Sequence, residues 1–154
     1  MLDIDVFIEK TKKKSRLIGI DPGGKRIGIA LSDENKIVAT PYTTIIKENY
    51  RDLVDQIKKI VKEHDIGGIV IGNPINMDGT EGPSSQSAKD LAKNLSKDIT
   101  ENITLWDERL SSRGAFNLSG EMPINTSKKK SKLDENSAQF ILQGFLDFYH
   151  KNNT

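Results

Sequence analysis

The stretch around Asp21 combines one carboxylate with two cations, a set of groups that suits a divalent metal ion and a phosphate. Asp21 follows the apolar run at residues 17–20, and Pro22, two glycines, Lys25 and Arg26 come directly after it. Carboxylate oxygens bind hard ions such as Mg²⁺, and a guanidinium can donate paired hydrogen bonds to phosphoryl oxygens. Asp-Pro-Gly-Gly is also a favourable sequence for an ordinary tight turn, so this stretch indicates a site only if acidic partners exist elsewhere.

Two further acidic positions could supply those partners. Asp107 and Glu108 directly follow the apolar segment at residues 103–106. Because neighbouring side chains of a strand point to opposite faces, only one of the two can share a site with Asp21. We favour Glu108, whose longer side chain reaches further from the strand end.

Asp134 is the third candidate acid. It lies on a helical stripe whose apolar members are Ala138, Ile141, Leu142, Phe145 and Tyr149. An acid on such a core-facing stripe is costly unless it is paired, although an acid that begins a helix can simply stabilise the helix dipole. We interpret Asp21, Glu108 and Asp134 as one catalytic and metal-binding set for Mg²⁺ or Mn²⁺, with Lys25, Arg26 and Arg109 as phosphate contacts. Such a set can activate water and stabilise the leaving oxygen of a phosphodiester.

The elements that must position these residues form an α/β pattern. Strands at residues 17–20, 27–31 and 36–40 predict an antiparallel meander, which should end at Pro41 because proline cannot donate to a ladder. A helix over 50–64, a buried strand at 68–72, a helix beginning at Pro83 and a strand at 103–106 follow. A helix at 110–118, a loop at 120–131 and a final helix from Asp134 complete the pattern. The prediction is a five-stranded mixed sheet, three strands antiparallel and two parallel, flanked by helices.

The composition is typical of a single globular domain with a highly charged surface. The chain has 154 residues, of which 35% are apolar and 29% charged. It has no cysteine, which excludes disulfides and thiolate metal sites, and no apolar stretch long enough to span a membrane. We therefore expect a cytoplasmic protein without membrane partners. We divide it into an N-terminal arm at residues 1–15, either a short helix or loosely packed, a domain at 16–150 and a tail at 151–154.

Positive charge is concentrated locally although the net charge is only +1. Between residues 109 and 133, six basic residues face the single acid Glu121, and a second cluster occupies residues 12–16. Local basic patches are typical of nucleic-acid binders, and also of ordinary solvated lysine-rich segments. We expect a nucleic acid as the partner and a monomer or weak homodimer as the oligomeric state.

Taken together, these motifs closely resemble the YqgF (RuvX) family, and the order of elements is that of the ribonuclease H-like fold. The resemblance covers residues 17–147 and rests on four groups: Gly19-Ile20-Asp21 with Gly23, Lys25-Arg26-Ile27-Gly28 and Ser32-Asp33; Gly72, Pro74 and Asn76-Met77-Asp78-Gly79-Thr80-Glu81-Gly82; Asp107-Glu108-Arg109-Leu110; and Asp134 with Ala138, Ile141-Leu142-Gln143-Gly144 and Leu146. It implies Asp21, an acid of the Asp-Glu-Arg motif and Asp134 as the acidic site. It also implies a metal-dependent nuclease that processes the 5′ end of pre-16S ribosomal RNA. Asn73 departs from the family, which usually has an apolar residue before the proline.

Other functions stay open at this point. The family is also described as a Holliday junction resolvase, which would act on branched DNA. The hairpin at residues 21–28 resembles the phosphate-binding hairpin of actin-type and sugar-kinase phosphotransferases, but those proteins clamp a nucleotide between two such domains and this chain has length for one. A catalytically inactive nucleic-acid-binding module is a third alternative, which cleavage assays with and without metal would separate from a nuclease.

Overall fold

The five predicted strands form one mixed sheet. The computed structural model describes residues 1–76, 78–110 and 127–152. Its strands are β1 (Arg16–Pro22), β2 (Arg26–Ser32), β3 (Ala39–Ile46), β4 (Ile66–Asn73) and β5 (Asn102–Asp107), arranged in the order β3-β2-β1-β4-β5. The first three strands pair antiparallel, whereas β1–β4 and β4–β5 pair parallel. The predicted sheet is confirmed, and β4 separates β1 from β5.

Helices cover both faces of this sheet and define two cores. They are α1 (Ile4–Lys10), α2 (Tyr50–His64), α3 (Pro83–Asp98) and α4 (Ser127–Asn152), and a 3-10 turn (Glu108–Leu110) follows β5. On one face, α2 and α3 pack on side chains such as Ile18 and Ile20. On the other face, α1 and α4 pack on Leu17, Val70 and Trp106. Alternation along the strands therefore decides which residues lie under α4. No described helix is both long and apolar enough to cross a membrane.

The third strand differs from its prediction. It begins at Ala39 rather than residue 36 and continues through Pro41 to Ile46. Proline is tolerated because β3 is an edge strand, and Pro41 lies opposite Ala30 beside a register irregularity. The residues before it form a turn in which the Asp33 carboxylate accepts hydrogen bonds from the backbone N–H groups of residues 37 and 38, at 2.7 and 2.9 Å.

The final helix also differs from its prediction. Helix α4 begins at Ser127, so the predicted loop is wrong for residues 127–131. The lysine run has good helix propensity and contains neither glycine nor proline. The predicted helix at 110–118 and the loop at residues 120–126 lie outside the described residues.

Lys36, a buried lysine in the turn between β2 and β3, forms hydrogen bonds with an N-terminal segment and with the C-terminal helix. Lys36 is completely buried, and its ammonium donates to the backbone carbonyls of Lys12 (2.5 Å) and Lys13 (2.8 Å). His150 Nε2 donates to the Lys36 carbonyl at 2.7 Å. The N-terminal segment is also anchored, because Phe7 of α1 is fully buried against Phe145.

Candidate active site

Asp21 lies near the carboxyl end of β1, on the face covered by α4. It follows Leu17 and Gly19 at alternate positions, and Leu17 belongs to the core under that helix. Its antiparallel partner on β2 is Gly28. Burial, together with the nearby Asp134 carboxylate, raises the pKa of Asp21 to about 6. The site thus contains an acid whose ionised form is less favourable in the folded protein than in water.

Asp134 approaches Asp21 from helix α4. The helix crosses β2 so closely that a Cβ atom at Gly28 would lie 2.0 Å from the carbonyl oxygen of Asp134. The Asp134 carboxylate accepts a hydrogen bond from Arg26 Nε at 2.8 Å, and both side chains are about three-quarters buried. Arg26 therefore compensates part of the negative charge.

Glu108 approaches Asp21 from the opposite side, across β4. Trp106 of β5 lies in the core under α4, and Glu108 follows β5 as the first residue of the 3-10 turn. One carboxylate oxygen of Glu108 lies 3.0 Å from the position that a Cβ atom at Gly72 would take. Burial and the charges of Asp21 and Asp107 raise the pKa of Glu108 to about 7. Glu108 and Asp21 are therefore close enough to repel each other.

Asp107 has a different environment from its neighbour. Its carboxylate accepts hydrogen bonds from Arg109 Nη2 at 2.7 Å, Arg109 Nε at 3.1 Å and the Arg109 backbone N–H at 3.0 Å. These hydrogen bonds hold the pKa of Asp107 below its usual value. Arg109 also reaches the β4–α3 loop, where its Nη1 lies 3.6 Å from the Cβ position of Gly79. Asp107 thus anchors a guanidinium that faces this loop.

The predicted phosphate contacts are in three different situations. Lys25 is exposed in the turn between β1 and β2. Arg26 is ion-paired with Asp134, and Arg109 is ion-paired with Asp107. The structure thus brings Asp21, Glu108 and Asp134 to one end of the sheet and places two of the three cations in pairs with acids.

The sequence motifs include Gly28, Gly72 and Asn73, but no structural role was predicted for these three residues. Gly28 leaves space for Asp134, and Gly72 leaves space for Glu108. Glycine inside a strand often marks a place where another part of the chain approaches the backbone closely. The unusual Asn73 is buried at the end of β4, where its Oδ1 accepts a hydrogen bond from the buried Ser85 hydroxyl at 2.6 Å. This hydrogen bond gives the buried Asn73 side chain a partner, although the family usually has an apolar residue at this position.

The carboxylates have the donor chemistry that a divalent cation requires. Asp21 and Glu108 are partly buried acids with raised pKa values. A bound cation would offset the cost of burying their negative charges and would reduce the repulsion between them. Within the part of the chain that the structure describes, no three acidic or histidine side chains are already grouped as a metal site. Asp134 is held by Arg26 in this arrangement. The residue types fit Mg²⁺ or Mn²⁺, and Asp134 is the donor that is otherwise engaged.

Comparison with known proteins places the chain in a family. Residues 15–148 match the family model described as RuvX, Holliday junction resolvase. A protein of Pelagibacter ubique (strain HTCC1062) named "Putative pre-16S rRNA nuclease" is 51% identical over 148 residues, which cover 96% of this chain and 98% of that protein. A Rhodobacter capsulatus protein of the same name is 42% identical over 145 residues, or 94% of this chain and 91% of that one.

Solved structures with low sequence identity share the fold. The chain is similar to T. thermophilus RuvC in complex with a Holliday junction substrate, with a TM-score of 0.53, 10% identity and coverage of 90% of this chain and 96% of that one. It is also similar to the yeast mitochondrial Holliday junction resolvase Ydc2, with a TM-score of 0.54, 11% identity and coverage of 96% and 86%. The predicted ribonuclease H-like fold is confirmed. The chain belongs to the RuvX (YqgF) family.

Proposed function

We propose that this chain is a divalent-metal-dependent nuclease that hydrolyses phosphodiester bonds at the 5′ end of pre-16S ribosomal RNA. The observation that supports this proposal best is the convergence of Asp21, Glu108 and Asp134 from β1, the turn after β5 and α4. The names of the curated relatives support the choice of ribosomal RNA as the substrate. A cytoplasmic location and a monomer or weak homodimer remain part of the proposal.

The three carboxylates would hold one or two Mg²⁺ or Mn²⁺ ions. When bound, such an ion supplies an activated water and stabilises the leaving oxygen of the phosphodiester. Asp21 and Glu108 fix ligand atoms on a rigid sheet, which keeps their spacing constant. With pKa values raised to about 6 and about 7, both acids release protons more readily when a cation is bound, so metal affinity should fall as the pH drops below that range.

Positive groups around the acids would bind the substrate backbone. Lys25 is exposed beside Asp21 in the chain, and a phosphate could compete with Asp134 for the Arg26 guanidinium. The lysines of residues 128–132 lie in the first turns of α4, at the same end of the helix as Asp134. Contacts of this kind give affinity that depends on salt but not on sequence.

A cleavage assay tests the proposal directly. A 5′-extended 16S precursor RNA is incubated with wild type, Asp21→Asn and Asp55→Asn, each with Mg²⁺, Mn²⁺ or EDTA. Asp55 is a 60% exposed acid on α2, so its substitution controls for the loss of one negative charge. We expect cleavage by wild type and Asp55→Asn with metal, and none by Asp21→Asn or in EDTA. RNA cleavage that persists in EDTA would contradict the metal-dependent mechanism.

Resolution of branched DNA is the second candidate, because the family model carries the description Holliday junction resolvase. A four-way DNA junction run beside the RNA separates the two substrates. Junction cleavage without RNA cleavage would replace the proposed substrate. Binding of both nucleic acids without cleavage of either would favour an inactive nucleic-acid-binding module.

A further inference from the structure

Asp21 is flanked by glycine on both neighbouring strands. On β2, its antiparallel partner is Gly28. On β4, Ile71 pairs with Ile20, so the next residue, Gly72, lies beside Asp21. The central acid therefore has no side chain next to it on either strand of its own face.

Another acidic residue uses each of the two spaces that the glycines leave. A Cβ atom at Gly28 would lie 2.0 Å from the carbonyl oxygen of Asp134 and 2.6 Å from its carbonyl carbon. A Cβ atom at Gly72 would lie 3.0 Å from Glu108 Oε2 and 2.5 Å from Ile141 Cδ1. These distances are shorter than the contacts of ordinary packed carbon atoms, which begin near 3.5 Å. Both acids can thus approach Asp21 only because the flanking positions lack side chains.

We infer that Gly28 and Gly72 are positioning residues, which set the spacing of the three carboxylates and thereby the affinity for a divalent cation. This inference rests on the proposed metal-dependent function. Functional constellations tolerate displacements of only about 0.5 Å. A methyl group at Gly28 would demand a larger shift of the Asp134 backbone, and one at Gly72 would push Ile141 aside and crowd the Glu108 carboxylate directly. The two positions differ in what must move.

At Gly72, the groups that must move are the ends of two flexible side chains, those of Glu108 and Ile141. The fold can therefore accept alanine there while the carboxylate is displaced. At Gly28 the obstacle is the backbone of α4, so alanine must shift the helix itself. Gly72→Ala is consequently the sharper test.

Gly68 provides a matched control on the same strand and face. A Cβ atom there would lie 2.8 Å from Phe7 Cζ and 3.1 Å from Leu17 Cδ2, which are again ends of side chains. Gly68→Ala therefore imposes a similar packing change four residues from Gly72 without meeting an acid. Differences between the two variants report on the carboxylates rather than on the core.

The experiment measures Mn²⁺ affinity by calorimetry without nucleic acid, in wild type, Gly68→Ala, Gly72→Ala, Glu108→Gln and the double variant Gly72→Ala/Glu108→Gln. Loss of a ligand-orienting group costs about tenfold or more in metal affinity. We expect that loss for Gly72→Ala in the wild-type background and a change within about twofold for Gly68→Ala. In the Glu108→Gln background, Gly72→Ala should have no further effect, because the carboxylate that it displaces is already gone.

The outcomes separate this inference from the proposed function. If wild type binds no Mn²⁺, the proposed function and the inference fall together. If wild type binds Mn²⁺ but Gly72→Ala has no effect, or weakens binding equally in both backgrounds, the inference alone is overturned. Gly28→Ala is compared in the same way with and without Asp134→Asn. If Gly28→Ala does not fold, the comparison of Gly72→Ala in the wild-type and Glu108→Gln backgrounds decides.

Discussion

Replacing Asp21 by asparagine should stabilise the protein against unfolding at neutral pH, in the absence of metal. The pKa of Asp21 is raised to about 6 by burial and by Asp134, above its ordinary value of 3.8. Asparagine is similar in shape to the protonated acid and has no charge to bury. The substitution therefore removes a cost that the folded state bears only when Asp21 is ionised.

The size of this effect follows from the shift. One pKa unit corresponds to about 1.36 kcal/mol, so a rise from 3.8 to about 6 is equivalent to about 3 kcal/mol. For a chain of this length, a gain of about 3 kcal/mol raises the Tm by about 6–12 °C. Removing the Asp21 charge should also lower the pKa of Glu108, because that charge is one of the causes of its rise.

The effect has a defined pH window. Below the ordinary pKa of 3.8, Asp21 is protonated in both the folded and unfolded states, so it carries no cost. Between that value and about 6, the folded state binds more protons than the unfolded state, and stability falls as pH rises. Above that window the full cost is present. Urea unfolding of wild type and Asp21→Asn in EDTA, from about pH 4 to about pH 8, measures the difference.

Asp33→Asn is a control of opposite sign. Burial opposes the ionisation of Asp33, but hydrogen bonds from the Val38 and Ile37 N–H groups outweigh it and hold the pKa below its usual value. This variant should be less stable than wild type at neutral pH, and the two should converge as the pH falls through the lowered pKa. An Asp21→Asn variant that gains no stability at about pH 8, or whose gain does not change with pH, would refute the reasoning.

Three further predictions concern the site and its supports. Glu108→Gln should reduce metal-dependent cleavage at least about 100-fold, and Asp107→Asn much less, since the Asp107 carboxylate is paired with a guanidinium; single-turnover assays compare them. Ser85→Ala should cost about 1–3 kcal/mol in urea unfolding, because it leaves the buried Asn73 oxygen without its donor. Lys36→Met should cost about 2–3 kcal/mol by the same measurement, because two buried carbonyls lose a charged donor; equal stability would contradict their structural role.

Periodicity predicted the elements in which burial follows a simple pattern. The helix at Tyr50–His64 presents a regular apolar stripe, and β4 is apolar on both faces, as expected for a strand between two helical layers. Strand alternation predicted that only one of Asp107 and Glu108 could share a site with Asp21, but the choice of Glu108 rested on its longer side chain. The sequence pattern is sufficient to predict an element when each of its faces packs against a single layer of the fold.

The sequence was less informative where the outcome depends on contacts between distant elements. Pro41 stops a central strand but not an edge strand, and its place at the edge follows from the order of the sheet. The pairing of Arg26 with Asp134, which lie 108 residues apart in the chain, could not be predicted from the sequence around either residue. The close approach of Gly72 to Ile141 likewise exists only after α4 has packed.

Helix α4 follows all five strands in the chain, which has a consequence for protein synthesis. A chain still attached to the ribosome before α4 emerges lacks Asp134, and the apolar face with Leu17, Val70 and Trp106 is still uncovered. The same holds for a product truncated before this helix. Helix α4, which is made after all five strands, therefore completes the core and the acidic set together, so a chain without this helix has neither.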